Sequence, residues 1–204
     1  MNDTSTPPAE LVGLLWSWRC GDPLPALASP VGAWRVTASQ RADAAPEAEL
    51  SELMLRDFEL PLAASARRFG RGYHLYLGWL GERPVTYGWV ARGAASMGNP
   101  GVAFQIPPDQ TYLFAFETLP AWRGRGCCPA LLQAILAEAP AQWSWIIHQS
   151  DNIASQRGIA RAGFQQACAV YATAAGALAL RPDGAAERVA AGARLLGLPL
   201  LADH

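Results

Sequence analysis

Between Leu119 and Pro129 the chain reads Leu-Pro-Ala-Trp-Arg-Gly-Arg-Gly-Cys-Cys-Pro. An apolar run precedes this segment and a helix-patterned run follows it. A turn of this composition can bind an anion. The first turn of a helix has N–H groups with no intrahelical partner, and the helix dipole adds partial positive charge there. Gly124 and Gly126 let the backbone approach a ligand closely. Arg123 and Arg125 add full charge, and Cys127 and Cys128 stand at the opening of the helix. A pyrophosphate suits such a site; a plain strand-to-helix turn with solvated arginines is the alternative. The Lys-Ser/Thr ending of a phosphate-binding P-loop is missing, and the dinucleotide-binding glycine spacing fails at Pro129.

A second segment, Asn152 to Phe164, reads Asn-Ile-Ala-Ser-Gln-Arg-Gly-Ile-Ala-Arg-Ala-Gly-Phe. Asn152 can cap a short helix, with Ser155 close behind it. Gly163 suits the left-handed position just past a helix end.

Composition narrows the function classes. Of 204 residues 51% are hydrophobic, enough for one sizeable core. The formal net charge of −1 argues against a nucleic-acid or membrane-surface role, since both need excess positive charge. Every basic residue is Arg, so no catalytic Lys is available. Cys20, Cys127, Cys128 and Cys168 form no CxxC pair and no Cys/His ligand spacing, which speaks against a metal site. They read as free thiols in a reducing cytoplasm. The polar N-terminus lacks a signal-peptide pattern, and no apolar run is long enough to span a bilayer.

The elements that must position the two segments follow from periodicity. Residues 1–8 read as a disordered lead, and Glu10–Trp18 has helix or strand potential. Three prolines make 20–30 a loop. Ala33–Ala38 alternates as a strand, and Pro46–Phe58 and Leu62–Phe69 read as helices. Tyr73–Leu80 and Pro84–Ala91 flank Gly81-Glu82-Arg83 as a β-hairpin. Gly93–Pro108 reads as a Gly/Pro-rich loop. Thr111–Leu119 and Trp143–His148 are apolar enough for buried strands, with a helix over Pro129–Ala139 between them. A short helix at Ser155–Ala162, strands at Cys168–Thr173 and Ala177–Arg181, and a helix at Ala185–Leu195 complete the chain. The expected fold class is α/β, a mixed, mostly antiparallel sheet with helices on both faces. Residues 1–32 are expected as an N-terminal extension, 33–183 as the main domain and 184–204 as a C-terminal helix and tail.

The two segments together resemble the motifs of the GNAT (GCN5-related N-acetyltransferase) superfamily. The first family motif is Arg or Gln, two residues, Gly, one residue, then Gly or Ala, with Pro upstream. Arg123, Gly126 and Pro120 match it, and Cys128 stands where the family has Gly or Ala. The second is Asn-x-x-Ser followed by a short helix and Gly-Phe, matched by Asn152, Ser155, Gly163 and Phe164. The resemblance covers about Trp34 to Arg181.

It implies an acyl-CoA co-substrate such as acetyl-CoA, no metal, and direct acyl transfer to an amine acceptor. The implied acyl-CoA residues are Thr118, Leu119, Arg123, Gly124, Arg125, Gly126, Cys127, Cys128, Asn152 and Ser155. Backbone N–H groups near Thr118 and Leu119 would hold the thioester carbonyl. Ile159 stands where many members have an acidic Tyr. For the base, Glu117 is the first candidate, because burial in an apolar strand makes a carboxylate a stronger base. His148 is the second; Tyr112 and Tyr171 are fallback acids. Two readings stay open: an active N-acyltransferase, and a catalytically weak acyl-CoA-binding or interaction domain. A nucleotide-binding α/β domain is a third. The acceptor is not specified, and a homodimer stays open as a partner arrangement.

Overall fold

A computed structural model describes residues 10–30, 32–97, 102–138, 141–173 and 176–201. The disordered lead expected at 1–8 lies outside the described residues. The elements run in the order β1 (Glu10–Arg19), β2 (Trp34–Ala38), α1 (Glu47–Phe58), α2 (Leu62–Phe69), β3 (His74–Leu80), β4 (Arg83–Ala91), β5 (Gly93–Met97), β6 (Val102–Ile106) and β7 (Gln110–Thr118). Then follow α3 (Cys127–Glu138), β8 (Trp143–Gln149), α4 (Ile153–Arg161), β9 (Gln165–Ala172), β10 (Leu178–Pro182) and α5 (Ala186–Leu196). Eight strands form one sheet in the order β10-β9-β1-β8-β7-β4-β3-β2. Only β7 and β8 pair in parallel; every other neighbour is antiparallel.

The core lies on both faces of this sheet. On one face α1, α2 and α5 bury Leu50, Met54, Phe58, Phe69, Val189 and Leu195 against Tyr87, Trp89 and Trp145. On the other, α3 and α4 bury Leu131, Leu132, Ile135 and Ile159 against Trp16, Val90, Leu113 and Ile146. The expected mixed α/β sheet with helices on both faces is therefore what the chain forms. In α1, Leu50, Met54 and Phe58 recur every four residues and are buried, which is the stripe a helix lays on a sheet. Pro46 caps α1 from outside, with extended backbone, and Glu47 and Glu49 complement the dipole in its first turn.

Two expectations are corrected. Glu10–Arg19 is not an extension outside the main unit. It is a ten-residue strand in the interior of the sheet, paired with β8 on one side and β9 on the other. Its middle is buried on both faces, Ser17 included, so it shows no clean alternation. Arg188 of α5 is also buried and ties this strand in. It donates to the Ser17 carbonyl and hydroxyl, and makes two 2.7 Å bonds to the Asp22 carboxylate. The stretch expected as a Gly/Pro-rich loop contains β5 and β6, which pair as a separate two-stranded sheet. Ala95, Met97, Phe104 and Ile106 alternate inwards there. No helix among the described residues is long and apolar enough to cross a membrane.

Candidate functional site

β7 and β8 run side by side only from Gln110↔Trp143 to Leu113↔Ile146. Beyond that pair β7 carries an extra residue. Its register with β4 passes from Trp89↔Phe114 to Tyr87↔Glu117, so three steps on β7 answer two on β4. The extra residue is accommodated at Ala115, whose φ of 51° lies in the left-handed region, as in a β-bulge. Parity is reset in consequence. Tyr87 and Trp89 share a face, so Glu117 and Phe114 share it too. Phe116 is turned to the opposite face and covers Gly88, where a Cβ would come within 2.1 Å of its ring. Any side chain at residue 88 would push Phe116 into the space where the two strands part.

At the end of β7 the Leu119 N–H donates to the Val85 carbonyl. Leu119 is therefore already committed to the sheet and cannot supply the donor expected of it. Ladder alternation turns the Thr118 N–H the other way, away from β4 and towards the parting of the strands. The Thr118 hydroxyl is hydrogen-bonded to Thr86.

A 3₁₀ turn at Pro120–Trp122 follows, then Gly124 and Gly126 with φ of 74° and 80°. α3 begins at Cys127, two residues earlier than its periodicity suggests, and Pro129 falls in its first turn, where a missing N–H costs nothing. The Cys127 and Cys128 N–H groups are left without intrahelical partners. Both thiols are neutral at physiological pH. Burial pushes the Cys128 thiol up to about 12, and raises that of Cys127 against the opposing pulls of its own backbone N–H and of Arg125. Arg123 braces the loop by donating from Nε to the Thr118 carbonyl. Arg125 instead stacks over Trp122, 4.9 Å from its centroid, outside the cleft described next.

A cleft of about 590 Å³ runs from Phe116, Glu117 and Thr118 past the Gly124–Cys128 turn to the start of α4. Asn152 caps α4, its side-chain oxygen accepting from the Ser155 N–H at 3.0 Å, and both residues line the cleft. Arg157 and Arg161, four residues apart on α4, join Arg123 along its wall. Sequence reasoning missed this pair, although i, i+4 spacing puts two residues on one helix face. Among the described residues none of the three is ion-paired. Among the described residues the cleft thus presents three guanidinium groups without an ion pair, two helix starts and one carboxylate, Glu117.

Glu117 sits where β7 has left β8. The Tyr87 hydroxyl donates to its Oε2 at 3.2 Å. Burial, and the neighbouring Glu117 charge, push the Tyr87 phenol up to about 12, so it stays protonated as a donor. In the sequence Tyr87 is marked only as one residue of the hairpin strand Pro84–Ala91.

His148 is elsewhere, and its expected role as a base is corrected. The indole N–H of Trp16 donates to its Nε2 at 3.0 Å. An indole can only donate, so Nε2 is unprotonated and Nδ1–H donates to the Gln149 carbonyl at 2.7 Å. Neither nitrogen is free to accept a proton. Burial lowers the His148 pKa from its ordinary 6.5, opposed by the Gln149 bond. Below pH 6.5 the unfolded chain therefore binds a proton more readily than the native one, and stability falls as pH drops. His148→Ala should lower the unfolding free energy by about 2–4 kcal/mol, through the cavity and the orphaned Trp16 N–H. It should also flatten the acid slope, which His74, lowered by burial too, shares. Denaturant unfolding between pH 5 and 7.5 measures both effects. Unchanged stability together with lost activity would return His148 to the mechanism.

The fallback acids are also remote from the cleft. Tyr112 is buried, which raises its pKa. Tyr171 lies on β9 under the Arg181 guanidinium. Ile159 is buried in the core beneath α4.

No family model matches the chain, and no curated protein matches it. Solved structures do. A GNAT family acetyltransferase from Colwellia psychrerythraea is similar with a TM-score of 0.54 and 17% identity, over 79% of this chain and 55% of that one. A GCN5-related N-acetyltransferase from Sphaerobacter thermophilus gives a TM-score of 0.50 and 16% identity, over 78% and 50%. A functionally unknown conserved protein from Staphylococcus epidermidis ATCC 12228 gives a TM-score of 0.50 and 9% identity, over 76% and 57%. The chain spans about half the length of these proteins. At such identities the likeness speaks to architecture alone, and the architecture of this chain is the GNAT fold.

Proposed function

We propose that the chain is an acyl-CoA-dependent N-acyltransferase that passes an acetyl or other acyl group directly to an amine. A fold alone does not assign chemistry. The observation that carries the reading is one continuous cleft joining the parted strands β7 and β8 to the starts of α3 and α4. A pantetheine arm fits between the strands, and a pyrophosphate fits the unpaired N–H groups of Cys127 and Cys128. Neutral thiols there do not repel an anion. Arg123, Arg157 and Arg161 neutralise the phosphates, and Asn152 and Ser155 flank the arm.

In this reading acyl-CoA supplies the activated acyl group. The Thr118 N–H donates to the thioester oxygen as negative charge develops on it. Glu117 takes a proton from the acceptor ammonium, and the freed amine attacks the carbonyl carbon. Tyr87 holds the Glu117 carboxylate in place. Among the described residues no tyrosine lines the cleft to protonate the leaving sulfur. As the adduct collapses the C–S bond breaks and the nitrogen gives its second proton to water. The sulfur departs as a thiolate, which its low basicity allows, and is protonated in solvent. All four cysteines are free thiols, which supports a reducing compartment such as the cytoplasm.

Acetyl-CoA at about 100 times its Kd should stabilise the chain by about 2.7 kcal/mol. For a chain of this size that raises Tm by roughly 5–10 °C. No shift in differential scanning fluorimetry at millimolar acetyl-CoA would remove the reading. The buried Ile159 favours a second one, a domain that binds acyl-CoA with little turnover. CoA release with a panel of amines separates the two.

A further inference from the structure

Arg67 and Arg68 lie in the last turn of α2 and Arg71 just beyond its end, and among the described residues none is ion-paired. Arg68 is turned inwards. Its guanidinium lies 5.2 Å from the Trp89 centroid and 5.8 Å from that of Phe114. Its Nη1 is buried and has no hydrogen-bond partner among the described residues, and neither has the Trp89 indole N–H. A buried charged donor without an acceptor is costly, so a ligand that accepts there is favoured. The three arginines line a cavity of about 170 Å³ with Tyr73, Ser96 and Phe114, and no acidic side chain lines it.

This cavity is close to the base. The β7 bulge brings Phe114 and Glu117 to one face, about 7 Å apart along the strand. Arg68 acts on the Tyr87 phenol, pulling its pKa down against burial, and Tyr87 bonds Glu117. Base, phenol and guanidinium therefore form one row beneath α2. The rings of Trp89 and Phe114 flank the guanidinium and favour an in-plane partner. A carboxylate has the planar geometry that pairs with such a fork.

We propose that the acceptor is a small amine carrying a carboxylate a few bonds from its nitrogen, with the carboxylate held by Arg68 and the amine at Glu117. Arg67 and Arg71 keep the mouth of the cavity positive. The role given to the amine rests on the acyltransferase reading; the carboxylate site does not.

The test is binding by isothermal titration calorimetry to the CoA-saturated protein. The probes are free α-amino acids and their decarboxylated counterparts: alanine with ethylamine, valine with isobutylamine, phenylalanine with phenethylamine. Phosphoethanolamine is the competing anion. At least one amino acid should bind 10–100-fold more tightly than its counterpart, the range of a charge-assisted pair. Arg68→Met, which keeps the side chain's length, should collapse that ratio, and Arg68→Lys should retain part of it. A wild-type protein with no carboxylate preference, or with phosphoethanolamine preferred over every amino acid, overturns the proposal whatever the variants do. Carboxylate preference without acetyl transfer to any amine would leave the subsite standing and overturn the acyltransferase reading instead.

Discussion

Glu117→Gln should lower acyl transfer by about 10²–10⁴-fold, the usual range for loss of a general base. Glutamine keeps the size of the side chain and can still accept from Tyr87, so the geometry survives while the proton acceptor is lost. Acyl-CoA affinity should barely change, because Glu117 lies at the end of the cleft away from the Gly124–Cys128 turn and Asn152, with its carboxylate bonded to Tyr87. The acidic limb of the pH–rate profile, which reports ionisation of the base, should vanish in the variant. Tyr87 cannot supply a substitute limb, since its phenol is pushed up to about 12. Steady-state rates from pH 5.5 to 9, with acetyl-CoA affinity measured in parallel, settle the matter. Normal turnover with an unchanged acidic limb would exclude Glu117. Loss of acyl-CoA binding or of stability would show it to be structural.

The sequence carries the parts of this site that are local. Asn152 as a cap, the glycine turn at 124–126 and the strand–helix–strand path around them are each written within a few residues. What it hides is long-range. β1 takes its place between β8 and β9 through partners such as Leu14↔His148 and Leu14↔Ala169, more than 130 residues away. The same distance hides the commitment of His148, whose Nε2 is occupied by Trp16. Seen alone, a histidine at a strand end looks available. The bulge is hidden for another reason. Its left-handed residue is Ala115, not the Gly or Asn that would mark such a position. Without it, alternation puts Phe114 and Glu117 on opposite faces, and no row linking Arg68, Tyr87 and Glu117 can be drawn. Arg68 itself reads as one of several solvated arginines at the end of a helix, until Trp89 and Phe114 are seen beneath it.

Gly126→Asp should weaken acyl-CoA binding by at least 10²-fold, and by more than Arg123→Ala does. Two effects combine at this residue. The first is conformational. Gly126 has a φ of 80°, where an L side chain costs roughly 1–2 kcal/mol. Space is not the obstacle, since a Cβ there would meet only the Ala28 carbonyl, at an ordinary 3.9 Å. The second is electrostatic. A carboxylate beside the first turn of α3 would itself accept from the Cys127 and Cys128 N–H groups and take the position proposed for the pyrophosphate. Gly126→Ala separates the two, because it carries the strain without the charge and should lose about 10-fold. Arg123→Ala removes one guanidinium from a wall that keeps Arg157 and Arg161, so its loss should also stay near 10-fold. The order Asp, then Ala and Arg123→Ala together, is read from acetyl-CoA titrations at two salt concentrations. Extra salt should narrow the gap between Asp and Ala, because only the charge term is screened. If Gly126→Asp binds as tightly as the unaltered chain, the turn does not hold the phosphates, and the cleft must be filled by something other than acyl-CoA.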